Sequence, residues 1–415
     1  MDERRRIKKY LFRKKVLAVL LTFMIMFYFV INLVKSGEVL YENASGSVNE
    51  MLSGDISLKR MVGQIEASLT DDAYERMKFV ELFSYTNVLL DKREINNFAY
   101  IKDETGSLHY SSFYRERQTE LFEYAMRVKR LKDYVGSRGT EVLFVVAPSK
   151  FVPNDNRLRS GMPVNNPQPV VDELLFYLNR LGVDTLDLNR VIPCKEVPYE
   201  EAFFRTDHHW TIDAAYYSTK VLAQRMNEDF GYDLDTKTYL SDDSYTTVRY
   251  EQGMLGSMGR GSGANFSGLD DFNAYYPNFK MNFYRNTLGE DGLYRDQEGD
   301  IIGTLVLPDV LKNNSNIYSD SQYSLYINGL RQHEQIKNLD NPEGLKIFMI
   351  RDSYFSPVMA FMAPMCGEID AMWSLEDMDQ LDIDEYIRSN EFDCIIIEFY
   401  PYNIGEEGFR FFEGE

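Results

Sequence analysis

Four histidines occur in the chain, and two of them are adjacent, in Phe204-Arg205-Thr206-Asp207-His208-His209-Trp210-Thr211. A carboxylate two residues before an imidazole can orient it and stabilise its charged form. An imidazole so held is a general base, and it needs a hydroxyl or thiol to act on. Ser353, in Ile350-Arg351-Asp352-Ser353-Tyr354, is the best-placed hydroxyl. Asp207, His209 and Ser353 are together the residue types of a nucleophile, its base and the orienting group. The same residues also suit plainer roles. A His-His pair before a helix can cap it, and Asp-Ser after a strand is a common turn. A metal is a third reading, but adjacent histidines point apart and further ligands cannot be placed, so none is expected. No cofactor motif is present.

The elements around these residues have readable patterns. Thr211 suits a helix N-cap, and Ala214, Ala215, Val221, Leu222 and Met226 give the following helix an apolar face. Lys346 to Ile350 reads as a buried strand, and Ser356-Pro357 as a helix start. Ser353 then falls in a strand-to-helix turn, at the sheet edge where ligands of open α/β sheets bind. A helix N-terminus there offers free N–H groups, and Tyr354 N–H is the expected oxyanion donor. Further strands are expected at 142–147, 185–188, 368–373 and 394–397, with helices at 114–137, 169–181 and 384–389. Apolar strands alternating with helices predict an α/β/α sandwich on a mostly parallel sheet. Residues 230–345, rich in Gly, Tyr, Asn and Ser, are expected to form an insertion of long loops and small elements.

Residues 16–34 are apolar except for Thr22 and Asn32, a run long enough to cross a bilayer core. Residues 1–15 hold eight Lys or Arg and two acidic residues, so this tail is expected to be cytoplasmic and everything after Val34 extracytoplasmic. The run is long and lacks a small-residue cleavage pattern, which favours an uncleaved transmembrane helix over a signal peptide. Residues 35–75 read as a stalk and 76–415 as the folded domain. The net charge is −20; residues 1–15 contribute +6, leaving −26 for the remainder. Such a surface excludes a nucleic-acid partner and disfavours an anionic polymer unless a local basic groove overrides the total. Cys194, Cys366 and Cys394 are too few and too scattered for a disulfide framework.

Asp207-His208-His209-Trp210-Thr211 is the namesake motif of the DHHW proteins of Gram-positive bacteria. It also resembles the Asp-x-His-Trp motif of alginate O-acetylation proteins, which carry an SGNH-hydrolase-like domain. Arg351-Asp352-Ser353-Tyr354 is similar to the Gly-Asp-Ser block of SGNH enzymes, with Arg351 in the glycine's place. Asn96-Asn97-Phe98, Ala147-Pro148-Ser149-Lys150 and Gly253-Met254-Leu255-Gly256-Ser257 resemble further landmarks in the same order. The resemblance implies an SGNH-like α/β/α domain with Asp207, His209 and Ser353 as a triad. Arg351, His208, Trp210 and Tyr354 become substrate-binding or oxyanion candidates; Asn265 and Asn328 are weaker ones. It implies a membrane-anchored extracytoplasmic O-acyltransferase, most simply an O-acetyltransferase, acting on an envelope or exported polysaccharide through an acyl-serine. A membrane-bound O-acyltransferase partner would supply the acyl group. With water as acceptor the same site is an esterase, and with an inactive triad the fold is a polysaccharide-binding scaffold.

Overall fold

The computed structural model describes residues 2–54, 56–112, 120–151, 157–159, 161–289, 292–312, 317–318, 321–373 and 382–413. The chain divides into two compact units, Met1–Phe83 and Ser84–Glu415.

In the first unit one helix runs Asp2–Ser53 and a second Leu58–Asp71. The 16–34 run lies within the first helix, and its large side chains, Leu17, Val19 and Phe23 among them, are exposed. By length and composition it is a candidate membrane anchor or signal. The 35–75 stretch, read as a stalk, is helical for most of its length. Ser57 caps the second helix by accepting a hydrogen bond from the Arg60 N–H.

Among the described residues of the second unit there are thirteen strands: β1 (Glu94–Ile95), β2 (Tyr100–Lys102), β3 (Leu108–Tyr110), β4 (Glu141–Val146), β5 (Asp184–Asp187), β6 (Tyr245–Met254), β7 (Asp270–Pro277), β8 (Asn282–Leu288), β9 (Tyr294–Asp300), β10 (His333–Asn338), β11 (Lys346–Arg351), β12 (Glu368–Trp373) and β13 (Cys394–Phe399). The main sheet has the order β5-β4-β13-β11-β12-β10-β8-β9. Its first five strands are parallel. β10, β8 and β9 extend it antiparallel. β6 and β7 form a separate ribbon, and β1–β3 a small antiparallel sheet.

The parallel strands are apolar on both faces because helices cover both. Leu143, Val145, Ile347, Met349 and Ile396 face one core, together with Ala214, Ala215 and Leu222 of the Ile212–Phe230 helix and Val358 to Met362 of the Ser356–Met362 helix. Val142, Phe144, Phe348, Ile350, Ile395 and Ile397 face the other, under the Leu121–Gly136, Gln168–Arg180 and Ile383–Ser389 helices. The expected 230–345 insertion is not mainly loops. It supplies β6 to β10, three of which complete the central sheet. Of the helix expected over 114–137, residues 121–136 are helical, and 114–119 lie outside the described residues.

Candidate active site

β11 is flanked by β13 and β12 near the middle of the parallel sheet, and the chain leaves it at Arg351. Asp352 then caps a 3-10 turn, Ser353–Phe355, which leads into the Ser356–Met362 helix. The Asp352 carboxylate is a hub. Oδ1 accepts from the Tyr354 N–H (2.9 Å), and Oδ2 from the Tyr400 N–H (2.7 Å) and Asn403 Nδ2 (2.8 Å). These bonds lock the turn that carries Ser353. They also engage the Tyr354 N–H, so that group is not a free oxyanion donor. The Ser353 N–H is the first of the 3-10 turn and has no acceptor among the described residues.

The opposing wall is the loop entering the Ile212–Phe230 helix. Thr211 caps that helix through Ala214 N–H (3.2 Å), as its position predicted. The loop before it is pinned from several sides. Asp270 Oδ2 accepts from Thr206 N–H (2.7 Å) and Oγ1 (2.6 Å), and its Oδ1 from Arg205 N–H (2.9 Å). Lys150 Nζ, fully buried, donates to the carbonyls of Asp207 (2.8 Å), Leu108 (2.8 Å) and Arg205 (3.3 Å). The Tyr354 hydroxyl donates to the His208 carbonyl.

On this support Asp207 Oδ1 lies 2.7 Å from His209 Nδ1, and His209 Nε2 lies 2.7 Å from Ser353 Oγ. Asp207 Oδ2 accepts from the Ser257 N–H at 2.6 Å. Burial pushes the Asp207 carboxyl up, but the adjacent His209 and His208 and these hydrogen bonds outweigh it and hold it well below the usual carboxylate range. The folded environment therefore favours the charged form of Asp207. The His209 ring is stacked on Tyr323, with centroids 4.2 Å apart and planes at 20°, and lies 3.9 Å from the His208 ring.

The remaining candidates separate by burial. His208 lines a cavity of about 340 Å³ with Ser353, Tyr354, His109, Tyr400 and Asn403. Its Nδ1 lies 3.3 Å from Ser257 Oγ. Burial and the neighbouring His209 push its pKa down to about 3, so it is a neutral wall of the site. Arg351 does not reach the cavity. It is fully buried, donating to the Asp352 carbonyl (3.2 Å), Ser356 Oγ (3.1 Å) and Glu334 Oε2 (3.3 Å). Trp210 is buried as well; its Nε1–H reaches Tyr323 Oη (3.0 Å) and the Tyr354 carbonyl (3.1 Å). Both hold the fold of the site rather than a ligand. Asn265 does not line this cavity, and Asn328 lines a different one. Asp207, His208 and His209 present three donor atoms within 4.8 Å, the spacing of a metal site. Both His209 nitrogens are already taken by Asp207 and Ser353.

Several supporting residues carried no assigned role in the sequence. Lys150 and Ser257 lie in landmark segments whose resemblance was visible but whose contacts were not. Asp270 and Tyr323 gave no signal, since an Asp and a Tyr in Gly- and Asn-rich sequence are unremarkable.

Residues 108–300 match the sequence profile of the SGNH hydrolase-like domain, acetyltransferase AlgX. The domain is SGNH-hydrolase-like. Solved structures agree on this fold. PatB1 of Bacillus cereus superposes with a TM-score of 0.58 at 15% identity, covering 75% of this chain and 99% of its own. The same protein with a sulfonyl adduct gives 0.56 at 15% identity, covering 75% and 97%. A DHHW family protein of Eubacterium siraeum gives 0.53 at 18% identity, covering 75% and 97%. Among curated proteins none matches the sequence closely. In this SGNH-like domain His208 and Ser353 line one cavity, and His209 Nε2 meets Ser353 Oγ beside it.

Proposed function

We propose that this protein is an O-acyltransferase, transferring acetyl groups to a polysaccharide hydroxyl through an acyl-serine. The unbroken Asp207–His209–Ser353 hydrogen-bond chain carries this reading. His209 Nε2 accepts the Ser353 Oγ proton as Oγ attacks the acyl carbonyl, and Asp207 stabilises the imidazolium. The Ser353 N–H donates to the developing oxyanion. Collapse expels the donor's leaving group, which takes the proton from His209, and leaves Ser353 acylated. A sugar hydroxyl then gives its proton to His209 Nε2 and attacks the acyl-serine. Collapse returns the proton to Ser353 Oγ and releases the acetylated sugar. Water in place of the sugar makes the same site an esterase.

The profile match to an acetyltransferase domain favours acetyl over longer acyl groups. The PatB1 sulfonyl adduct provides a probe chemistry, because sulfonyl fluorides trap activated nucleophiles. The apolar 16–34 run, flanked by the basic 1–15 tail, supports a cytoplasmic N-terminus and an extracytoplasmic catalytic domain. With no cofactor motif outside, the acyl group would come across the membrane from a membrane-bound O-acyltransferase partner.

The test is sulfonyl fluoride labelling of Ser353 in the detergent-solubilised chain, followed by release of p-nitrophenol from its acetate. Ser353→Ala should abolish both, and His209→Ala should slow both by about 10³-fold or more. Equal ester cleavage by wild type and Ser353→Ala would sink the enzyme reading and leave a binding scaffold. Adding oligosaccharide acceptors separates the two enzymes: a transferase forms acetylated sugar at the expense of free acetate.

A further inference from the structure

A second cavity, of about 580 Å³, lies away from Ser353 and is lined by Arg285, Arg295, Arg331, Gln297, Asn328 and Asp296 among others. Among the described residues its lining holds three guanidinium groups and one carboxylate. Asp296 is itself engaged, accepting from Tyr284 Oη and Asn286 Nδ2 at 2.6 Å each. Arg285 is held from behind: its Nε donates to Glu334, and other guanidinium nitrogens to the Ile327 and Thr304 carbonyls. Glu334 is shared with Arg351, so one buried carboxylate serves two buried cations. The chain carries −26 beyond residue 15, so this local cluster of arginine runs against the overall charge.

Register places this cavity on the same sheet edge as Ser353. β12 leaves the sheet beside Arg351, at Trp373. β10 enters antiparallel, with His333 opposite Met372, so Asn328 and Arg331 precede it at that edge. Glu334 pairs with Thr287 and Thr287 with Arg295, which brings β8 and β9 to the same edge. From β11 to β8 is three strand spacings, roughly 14 Å. The intervening loop holds Ile327, Asn328 and Gly329 at φ of 49°, 55° and 79°. A β-branched residue in the left-handed region is uncommon, and such strain concentrates at ligand sites.

We infer that this arginine cavity binds an acidic group, a carboxylate or phosphate, of the polysaccharide whose hydroxyl is presented to Ser353. The inference rests on the acyltransferase reading for the identity of the ligand, but not for its charge. Guanidinium forks match planar or tetrahedral oxyanions, and charge-assisted contacts of this kind exceed neutral ones. A glycan spanning the edge would place one acidic unit here and another ring at the serine.

The test is calorimetric titration of the full-length chain in detergent at low salt. The probes are an oligogalacturonide, a polyglycerol phosphate and a maltooligosaccharide of matched length. At least one acidic probe should bind at least tenfold tighter than the neutral one, and the preference should shrink at high salt. Arg331→Gln and Arg295→Gln should each weaken that binding about tenfold, while Lys129→Gln, on the Leu121–Gly136 helix, should not. Competition by galacturonate or by inorganic phosphate assigns the acidic group. If neither acidic probe outbinds the neutral one, or if neither arginine variant changes affinity, the inference falls. Ester cleavage that does not depend on Ser353 would refute the acyltransferase reading and leave this binding result standing.

Discussion

Gly256 touches neither Ser353 nor His209, yet its replacement by alanine should disable the site. A Cβ at residue 256 would sit 2.5 Å from the Thr206 carbonyl oxygen and 2.7 Å from Asp207 Cα, and closer still to Asp207 Cβ. Ordinary contact begins at 3.4 Å, so the two segments must part by about 0.9 Å. What they hold together is specific. The Gly256 N–H donates to Thr206 Oγ1 at 2.8 Å, and the Ser257 N–H to Asp207 Oδ2 at 2.6 Å. The second is a hydrogen bond to a buried carboxylate, worth about 1.5–3 kcal/mol. A displacement near 1 Å in a reacting constellation lowers rates by about 10²-fold. Gly256→Ala should therefore reduce kcat/KM on p-nitrophenyl acetate by about 10²-fold and lower the thermal midpoint. Gly136→Ala, with no atom within 4 Å of the new Cβ, should do neither. The assay is ester cleavage beside a thermal melt for each variant. Wild-type kcat/KM in a folded Gly256→Ala protein would refute the claim that this close approach positions Asp207.

Asp207→Asn keeps the shape but removes the charge that fixes the imidazole tautomer, and should lower kcat on small esters by about 10⁴-fold with little change in KM, read by steady-state kinetics. Lys150 titrates near 8 because burial disfavours its charge, against the opposing pull of Asp270, Asp207 and Asp103. That value is below the 10.5 of free lysine, so between them the unfolded chain binds more protons and stability rises with pH. Wild type should gain about 2 kcal/mol from pH 8 to 10 relative to Lys150→Met, measured by denaturant unfolding at each pH. Arg351→Met leaves Glu334 with only Arg285 as its ion-pair partner among the described residues and removes the donor to Ser356. It should destabilise the fold by about 3 kcal/mol in thermal or denaturant melts.

The parallel half of the sheet was legible because both of its faces are apolar. Val142 to Val146 and Cys394 to Ile397 read as uninterrupted hydrophobic runs, and they are buried strands. The antiparallel half was not, for a reason visible in β10. His333, Glu334 and Asn338 are buried polar residues, paired to Asp370, Arg285 and backbone carbonyls, so the strand reads as a loop. β9 is an edge strand with most of its side chains exposed, and it carries no apolar alternation at all. Residue types and the family resemblance pointed to Asp207, His209 and Ser353, and the fold brings these three side chains within hydrogen-bond reach of one another. Side-chain direction was not available, so Arg351 and Trp210 were read as facing a ligand when both point into the core. The competition of Asp352 for the Tyr354 N–H could not be seen either, because an N-cap and an oxyanion donor use the same group.

Tyr323 and His208 confine the His209 ring from either side. A ring flip of this imidazole would require both neighbours to move. In the proposed reaction Nε2 would therefore meet donor and acceptor from the Ser353 side. In the proposed acyl transfer the two half-reactions would then take turns in a single chamber of about 340 Å³. Initial-velocity plots should be parallel, with each substrate a competitive inhibitor of the other. If acyl transfer proceeds in this way, its turnover would be set by how quickly the spent donor clears the chamber for the next sugar.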